Sequence, residues 1–461
     1  MKRLLVLLLL ALAAVGLPGG SGCDGNLGDV SSGPISFRVS VARNFAPADG
    51  PSTRPTANFD GSLVAFESRA LNLARTEPSF REILIRDRNT QTVTSASRLV
   101  FETNKAGLAD CESPSMSNDG DWVIFTSRRD LGDDPATPGP EAFSTIWRYN
   151  RFSNTVGLII PTLPSTNPST PIDGNCFTPS VSGNGQVIAF ASEASNIETN
   201  PAYAPSPVAQ IFATDLTAGS TTRLISHAFG APGTPCNNAA TNPVVSADGE
   251  WIVFESRATN LIAGGTNSFR KIYRASRDGS VVELVSRMDG LAGAEASNHC
   301  TSTSVNGDGS LIGFAFQGGN LALAPNSGDL GFPLIVRDYS DPLNPVNRVV
   351  ANDCFLFGIF NPVLVGDRAA MSVDGLSIAY TASRLPGLTD LDIRVADTSG
   401  GGTRVISKGI IEPGVTTLED LFVVPTISGD GRWAFWRADY SQEVIGDTNA
   451  LGDVFGYGPL R

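Results

Sequence analysis

A polar turn followed at once by an alternating apolar run recurs along this chain. SADGEWIVFES (246–256), SNDGDWVIFTS (117–127), SGNGQVIAFAS (182–192) and SVDGLSIAYTAS (372–383) are near-copies. Alignment on the Asp-Gly or Asn-Gly pair gives seven repeats: Asp60-Gly61, Asp119-Gly120, Asn184-Gly185, Asp248-Gly249, Asp308-Gly309, Asp374-Gly375 and Asp430-Gly431. Successive pairs are 59, 65, 64, 60, 66 and 56 residues apart. Two positions before each Asp or Asn stands Ser or Asn, and five positions after each Gly stands an aromatic residue, from Phe66 in the first repeat to Trp436 in the last. Self-similarity of this kind marks an array of one supersecondary unit.

Each repeat reads as four strands. A short strand such as PSVS (179–182) or PVVS (243–246) leads into the turn, and a second such as WIVF (251–254) leaves it. Asp-Gly between alternating runs predicts a hairpin, because both central residues take positive φ and Asp, Asn and Gly tolerate it best. A third strand follows, as in EILIRD (82–87), QIFATD (210–215), PLIVRD (333–338) and DIRVAD (392–397). The fourth is TRLIS (222–226), VELVS (282–286), NRVV (347–350) or TRVIS (403–407). The seventh repeat has no fourth strand after DVFGYG (453–458), while FRVS (37–40) carries that pattern ahead of the first repeat. A last sheet completed by the first strand closes a ring and removes its exposed edges. The expected fold is all-β: one seven-bladed β-propeller of four-stranded blades over residues 35–461, closed by an N-terminal strand in the last blade.

These repeats resemble the TolB-like propeller repeat, a relative of the WD-repeat propellers in which a Ser-x-Asp-Gly turn precedes an Ile-Ala-Phe strand. The chain is most similar to exported bacterial proteins of this type that add Ala-x-Asn-Leu and Gly-Asp-Thr-Asn stretches. They stand here as ALNL (70–73), ASNI (194–197), ATNL (258–261), GGTN (264–267) and GDTN (446–449). The resemblance implies the fold across nearly the whole chain and leaves function open, since propellers host many activities.

Composition agrees with many short strands: 48 Gly, 30 Pro and 17% charged residues in 461, with helical segments hard to find. A formal charge of −13 repels phosphate backbones and anionic lipid, which argues against nucleic acid as a partner. At the N-terminus two basic residues, an apolar stretch and small residues lead to Cys23, a pattern that reads as a signal peptide over 1–22. Cleavage before Cys23 with lipid on its sulfur resembles the lipoprotein pathway; ordinary secretion with an unmodified Cys23 is the other route. Residues 23–34 read as a flexible tether. The body is expected to be monomeric and extracytoplasmic, touching membrane only through that anchor.

Candidate chemistry is sparse. Ser-x-Asp-Gly-x-Trp looks like the Asp box of sialidases, but that motif has an extra residue between Asp and Gly and is itself a turn, so the seven pairs read as structural. Cys111, Cys176, Cys236, Cys300 and Cys354 fall ahead of the first strands of repeats. They read as buried apolar fillers, as one or two disulfides between adjacent blades, or as a metal or reactive cluster. His227 and His299 are the only histidines. Asp447, Asn449 and Asp453 are weak oxygen ligands without full calcium-loop spacing, and no metal or other cofactor is expected. No nucleophile elbow, zinc-protease helix or phosphate loop occurs. The expectation is a non-enzymatic scaffold for an envelope protein or glycan, with a carbohydrate-active hydrolase or lyase using the central channel as the alternative.

Overall fold

The structure, a computed structural model, describes residues 34–461 except 75–79, 98–108, 129–142, 160–171, 198–201, 218–219, 322–331, 355–368, 384–390, 408–423 and 439–450. The expected leader and Cys23 therefore lie outside the described residues. All named elements among the described residues are strands. The first repeat shows the pattern: Ser52–Ala57, Leu63–Ser68, Glu82–Asp87 and Thr92–Ser95 pair antiparallel in chain order. The second, third and fourth repeats form the same four-stranded sheet. The fifth and sixth do so within one eight-stranded sheet, joined by the pair Cys354 and Ala382. In the last repeat Thr426–Ile427, Ala434–Ala438 and Asp453–Gly458 are followed outward by Ile35–Arg38, which pairs with Asp453–Gly458. The architecture is that of a β-propeller.

The core sits between sheets. Phe254, five positions after Gly249, is fully buried with Ile252 among Val187, Ala189 and Ile211 of the preceding repeat. Phe66, Phe125, Phe190 and Phe314 are as completely enclosed. Burying one such ring stabilises by roughly 1.5–3 kcal/mol, so the recurring aromatic is what holds each sheet to its neighbour.

The turn carries its own hydrogen bonds. Asp248 Oδ1 accepts from Ser246 Oγ at 2.5 Å and from the Glu250 amide at 2.9 Å, and Ser246 Oγ accepts from the Trp251 amide at 3.0 Å. Asn58 and Asn306 replace that serine, and each takes the equivalent amide on its side-chain oxygen, from Leu63 at 2.9 Å and Leu311 at 3.0 Å. That shared acceptor explains the Ser/Asn alternation. Gly249 has φ 79°, in the left-handed region, and all six other glycines of the pairs share it.

The residue before the turn Asp or Asn, or in two repeats that Asp itself, donates through its backbone amide to the next repeat. Amides donate to carbonyls from Phe59 to Asn118, Asn118 to Gly183, Gly183 to Ala247, Asp248 to Gly307, Gly307 to Val373, Val373 to Gly429 and Asp430 to Phe59, all at 2.7–2.9 Å. The series returns to its starting residue.

In the first five repeats the first strand is longer than the sequence suggests, six residues in each. It begins at Cys111, Cys176 and Cys300 in the second, third and fifth repeats, so these cysteines open the strand instead of preceding it. Cys236 stands ahead of the first strand Ala240–Val245, while Cys354 precedes Ala370–Met371 but closes the outer strand Val346–Cys354. Pairing continues past a β-bulge, with the register shifting at Thr53/Thr56, Glu112/Ser115, Phe177/Ser180, Thr241/Val244 and Thr301/Ser304. Inside each bulge a non-glycine residue takes positive φ: Arg54, Ser113, Thr178, Asn242 and Ser302.

Candidate functional site

The inner strands surround a cavity of ≈ 370 Å³. Its wall includes Arg54, Glu112, Ser113, Thr178, Pro179 and Val305, drawn from the first, second, third and fifth repeats. Three of these, Arg54, Ser113 and Thr178, are bulge residues. The bulge re-aims a side chain that would otherwise follow strand alternation.

An ion-pair cluster supports one side of the wall. Glu67 is fully buried and accepts from Arg54 at 3.1 Å, Arg81 at 3.3 Å and the Ser113 amide at 2.7 Å. Arg81 also reaches Glu112 at 2.6 Å and Asp110 at 3.2 Å, and Asp110 takes Arg69 at 3.0 Å. The Glu67 charge beside Arg54 raises its pKa, against the pull of burial. Burial works against the Arg81 charge too, but Glu67, Glu112 and Asp110 outweigh it and raise its pKa. Glu112 moves the other way from a typical paired acid: burial pushes its carboxyl upward, and Arg81 offsets only part of that.

A second clamp repeats the design. Glu255 follows Phe254 as Glu67 follows Phe66, and it accepts from Thr301 Oγ1 at 2.9 Å and the Ser302 amide at 3.1 Å, with Arg270 at 3.5 Å. In both cases a glutamate on the second strand of one repeat fixes the bulge of the next. The recurrence of Phe-Glu-Ser at 66–68 and 254–256 was the signal available in the sequence.

The residues singled out by sequence fall mostly outside this cavity. Asp60, Asp119, Asn184, Asp248, Asp308, Asp374 and Asp430 shape turns, and none lies on its wall. The Ala-x-Asn-Leu asparagines are clasps: Asn72, Asn196 and Asn260 accept the amides of Asp49, Asp173 and Asn237 at 2.9–3.2 Å, and Asn320 of the related stretch Gly318-Gly319-Asn320-Leu321 accepts that of Ser297 at 2.9 Å. They tie the loop after the second strand to the approach of the first. In the GGTN stretch, Asn267 donates to Glu295 at 3.1 Å, the carboxylate that holds buried Lys271 at 2.5 Å. Asp447 and Asn449 lie outside the described residues. Asp453 is fully buried, accepts from Ser40 Oγ at 2.5 Å and faces Arg38 at 3.4 Å.

No disulfide joins the five described cysteines, and all are buried. Burial pushes the Cys176 thiol up to about 12 and raises those of Cys236 and Cys300, so they are poor nucleophiles. No group of three His, Cys, Asp or Glu side chains able to hold a metal ion occurs among the described residues. His299 Nδ1 accepts the Arg270 amide at 2.9 Å, and burial with Arg257 and Arg270 nearby lowers its pKa. Both nitrogens of His227 lie against backbone carbonyls, of Ala228 at 2.9 Å and Gly279 at 2.7 Å.

No family model matches the chain, and no curated protein matches it. Solved structures do. An oligogalacturonate lyase in complex with manganese is 13% identical with a TM-score of 0.55, covering 94% of this chain and 94% of that one. An oligogalacturonate lyase from Vibrio parahaemolyticus is 11% identical with a TM-score of 0.54, covering 92% and 93%. TolB from Acinetobacter baumannii is 14% identical with a TM-score of 0.38, covering 78% of this chain and 66% of that one. At these identities the likeness is one of fold.

Proposed function

We propose that the chain is an exported propeller of seven four-stranded blades, closed by its N-terminal strand, that serves as a non-enzymatic binding scaffold for an envelope protein or glycan. The returning series of backbone hydrogen bonds and the pairing of Ile35–Arg38 with Asp453–Gly458 support the closed ring. Lipid on Cys23 would hold it at the membrane.

One observation favours binding over catalysis: the carboxylates nearest the cavity are paired. Glu112 meets Arg81 and Glu67 meets two arginines, so neither stands ready as a general base, and among the described residues the rest of the wall is hydroxyl and apolar. A carbohydrate hydrolase or lyase needs acid and base groups converging on a substrate. The likeness to oligogalacturonate lyases keeps that alternative worth assaying, and the assay is direct. Mature protein is incubated with oligogalacturonates and other envelope or wall glycans, and in parallel immobilised against envelope extracts. Saturable retention of one protein or glycan without change to it supports the scaffold; turnover of any glycan overturns it. Cys23→Ser should move the protein from membrane to soluble fractions, and an unchanged distribution would remove the anchor.

A further inference from the structure

We infer that the central cavity binds a small uncharged polyhydroxylated molecule, a neutral sugar or polyol, held by the bulge residues on its wall, Arg54, Ser113 and Thr178. This rests on the binding reading above and gives the ligand a chemical class.

The bulge residues carry the argument. Arg54, Ser113, Thr178, Asn242 and Ser302 come from five successive repeats and occupy the same strand position. All five hold positive φ, between 48° and 62°. That conformation costs of order 1–3 kcal/mol for a side chain with a Cβ, and a β-branched residue such as Thr178 tolerates it least. Glycine would remove the strain at every one of these positions, yet each carries a polar group. Such strain at a cavity is a pointer to a site.

Two of the groups are unpaired. Thr178 Oγ1, on the cavity wall, and Asn242 Oδ1, at the equivalent place one repeat on, have no hydrogen-bond partner within the protein. Their residues are 8% and 5% exposed. A buried polar atom left unsatisfied costs about 1–3 kcal/mol, so the unpaired Thr178 hydroxyl on the wall points to a molecule that exchanges a hydrogen bond with it.

Charge selects the class. Among the described residues the two charged ones on the wall are neutralised by ion pairs, Arg54 with Glu67 at 3.1 Å and Glu112 with Arg81 at 2.6 Å. The wall therefore offers hydrogen-bonding edges without a net charge to hold an acid or an amine. Pro114, Pro179 and Val305 supply apolar surface for C–H faces. A volume of ≈ 370 Å³ falls in the roughly 300–1,000 Å³ range of small-molecule sites.

The test is calorimetric titration of the mature chain with glucose, N-acetylglucosamine, cellobiose and glycerol, and with galacturonic acid as the charged counterpart. At least one neutral compound should bind saturably, and galacturonic acid at least tenfold more weakly. Thr178→Val keeps the branched shape and removes the hydroxyl; it should weaken binding about tenfold without lowering the melting temperature. Thr178→Ser restores the hydroxyl and should restore binding, which separates ligand contact from folding. The inference fails if galacturonic acid binds as well as the neutral compounds, if none of the neutral compounds binds, or if Thr178→Val binds like the parent. Consumption of a bound neutral sugar would overturn the scaffold reading while leaving the ligand class intact. Retention of an envelope protein with no sugar binding would do the reverse.

Discussion

Ser40 and Val454 are joined by a hydrogen bond across 414 residues of chain: the Val454 amide donates to Ser40 Oγ at 3.0 Å, and that hydroxyl donates in turn to Asp453 at 2.5 Å. Within complete repeats Ser97, Ser226 and Ser286 make the same bond to Ile83, Ile211 and Ile272 at 2.8–3.0 Å. Ser40 thus acts as the outer-strand serine of a repeat to which it does not belong in sequence. Ser40→Ala removes both bonds and leaves the buried Asp453 carboxylate short of a donor. A loss of about 2–3 kcal/mol in denaturant unfolding is expected; a change below about 0.5 kcal/mol would contradict a structural role for this contact.

Gly429 shows how tightly neighbouring turns approach. A Cβ there would lie 2.6 Å from Phe59 Cδ2 and 3.0 Å from Phe59 Cα, in the next turn of the series. Gly429→Ala should therefore destabilise by about 1–3 kcal/mol. Gly157, where a Cβ meets nothing within 4 Å, is the control, and its alanine variant should melt like the parent.

Glu67 joins two arginines and a bulge amide while fully buried. Glu67→Ala strands those donors, and a loss of about 3–5 kcal/mol is expected from chemical denaturation. Pairing it with Arg54→Met should recover part of that loss, because one uncompensated charge goes too. Strict additivity would mean that the two side chains do not interact.

Asp278 should set part of the acid limb of stability. Its carboxyl is held down to about 2, first by the Ser276 hydroxyl and then by the Ser280 amide. A carboxylate depressed in the fold contributes stability that is present above its ordinary 3.8 and lost as pH falls toward 2. Carbon-detected NMR should find its midpoint near 2, and Ser276→Ala should move it up; a midpoint near 4 in the parent would contradict the contact.

His299 offers a second, independent titration. Its Nδ1 already accepts the Arg270 amide, and burial with two nearby arginines disfavours the charged ring. The depressed pKa makes its contribution complete above the ordinary 6.5 and lost as pH falls through the lower folded value. With two histidines in the chain the NMR titration is simple to follow: a midpoint below 6.5 is expected, rising toward it in Arg257→Ala. A midpoint at or above 6.5 in the parent would refute the assignment.

Much of this fold is written in residues whose requirement is local. Asp248-Gly249 must turn, and Phe254 must be buried, so both recur with the repeat and can be read without a structure. The cavity wall is different. Arg54, Ser113, Thr178, Asn242 and Ser302 share a backbone conformation that usually announces itself as glycine, and here no glycine marks it. Nor do Glu67 and Arg81 repeat in every unit, because each clamp answers to one neighbouring bulge. Alignment of repeats finds what the units have in common, whereas the candidate site is made from what they do not share. Asn72 lies between these cases: its motif is visible, but the partner amide of Asp49 lies 23 residues upstream.

The circuit of backbone bonds through Phe59, Asn118, Gly183, Ala247, Gly307, Val373 and Gly429 has a consequence for chain connectivity. Each repeat is fastened to the next by amide and carbonyl groups in the turn between its first and second strands, independently of the peptide that links them in sequence. A permuted gene, with the natural ends joined through a linker and new ends opened in a loop between repeats, should still assemble the same set of sheets. The order in which the repeats are synthesised is then a matter of genetics, and the geometry belongs to these turns.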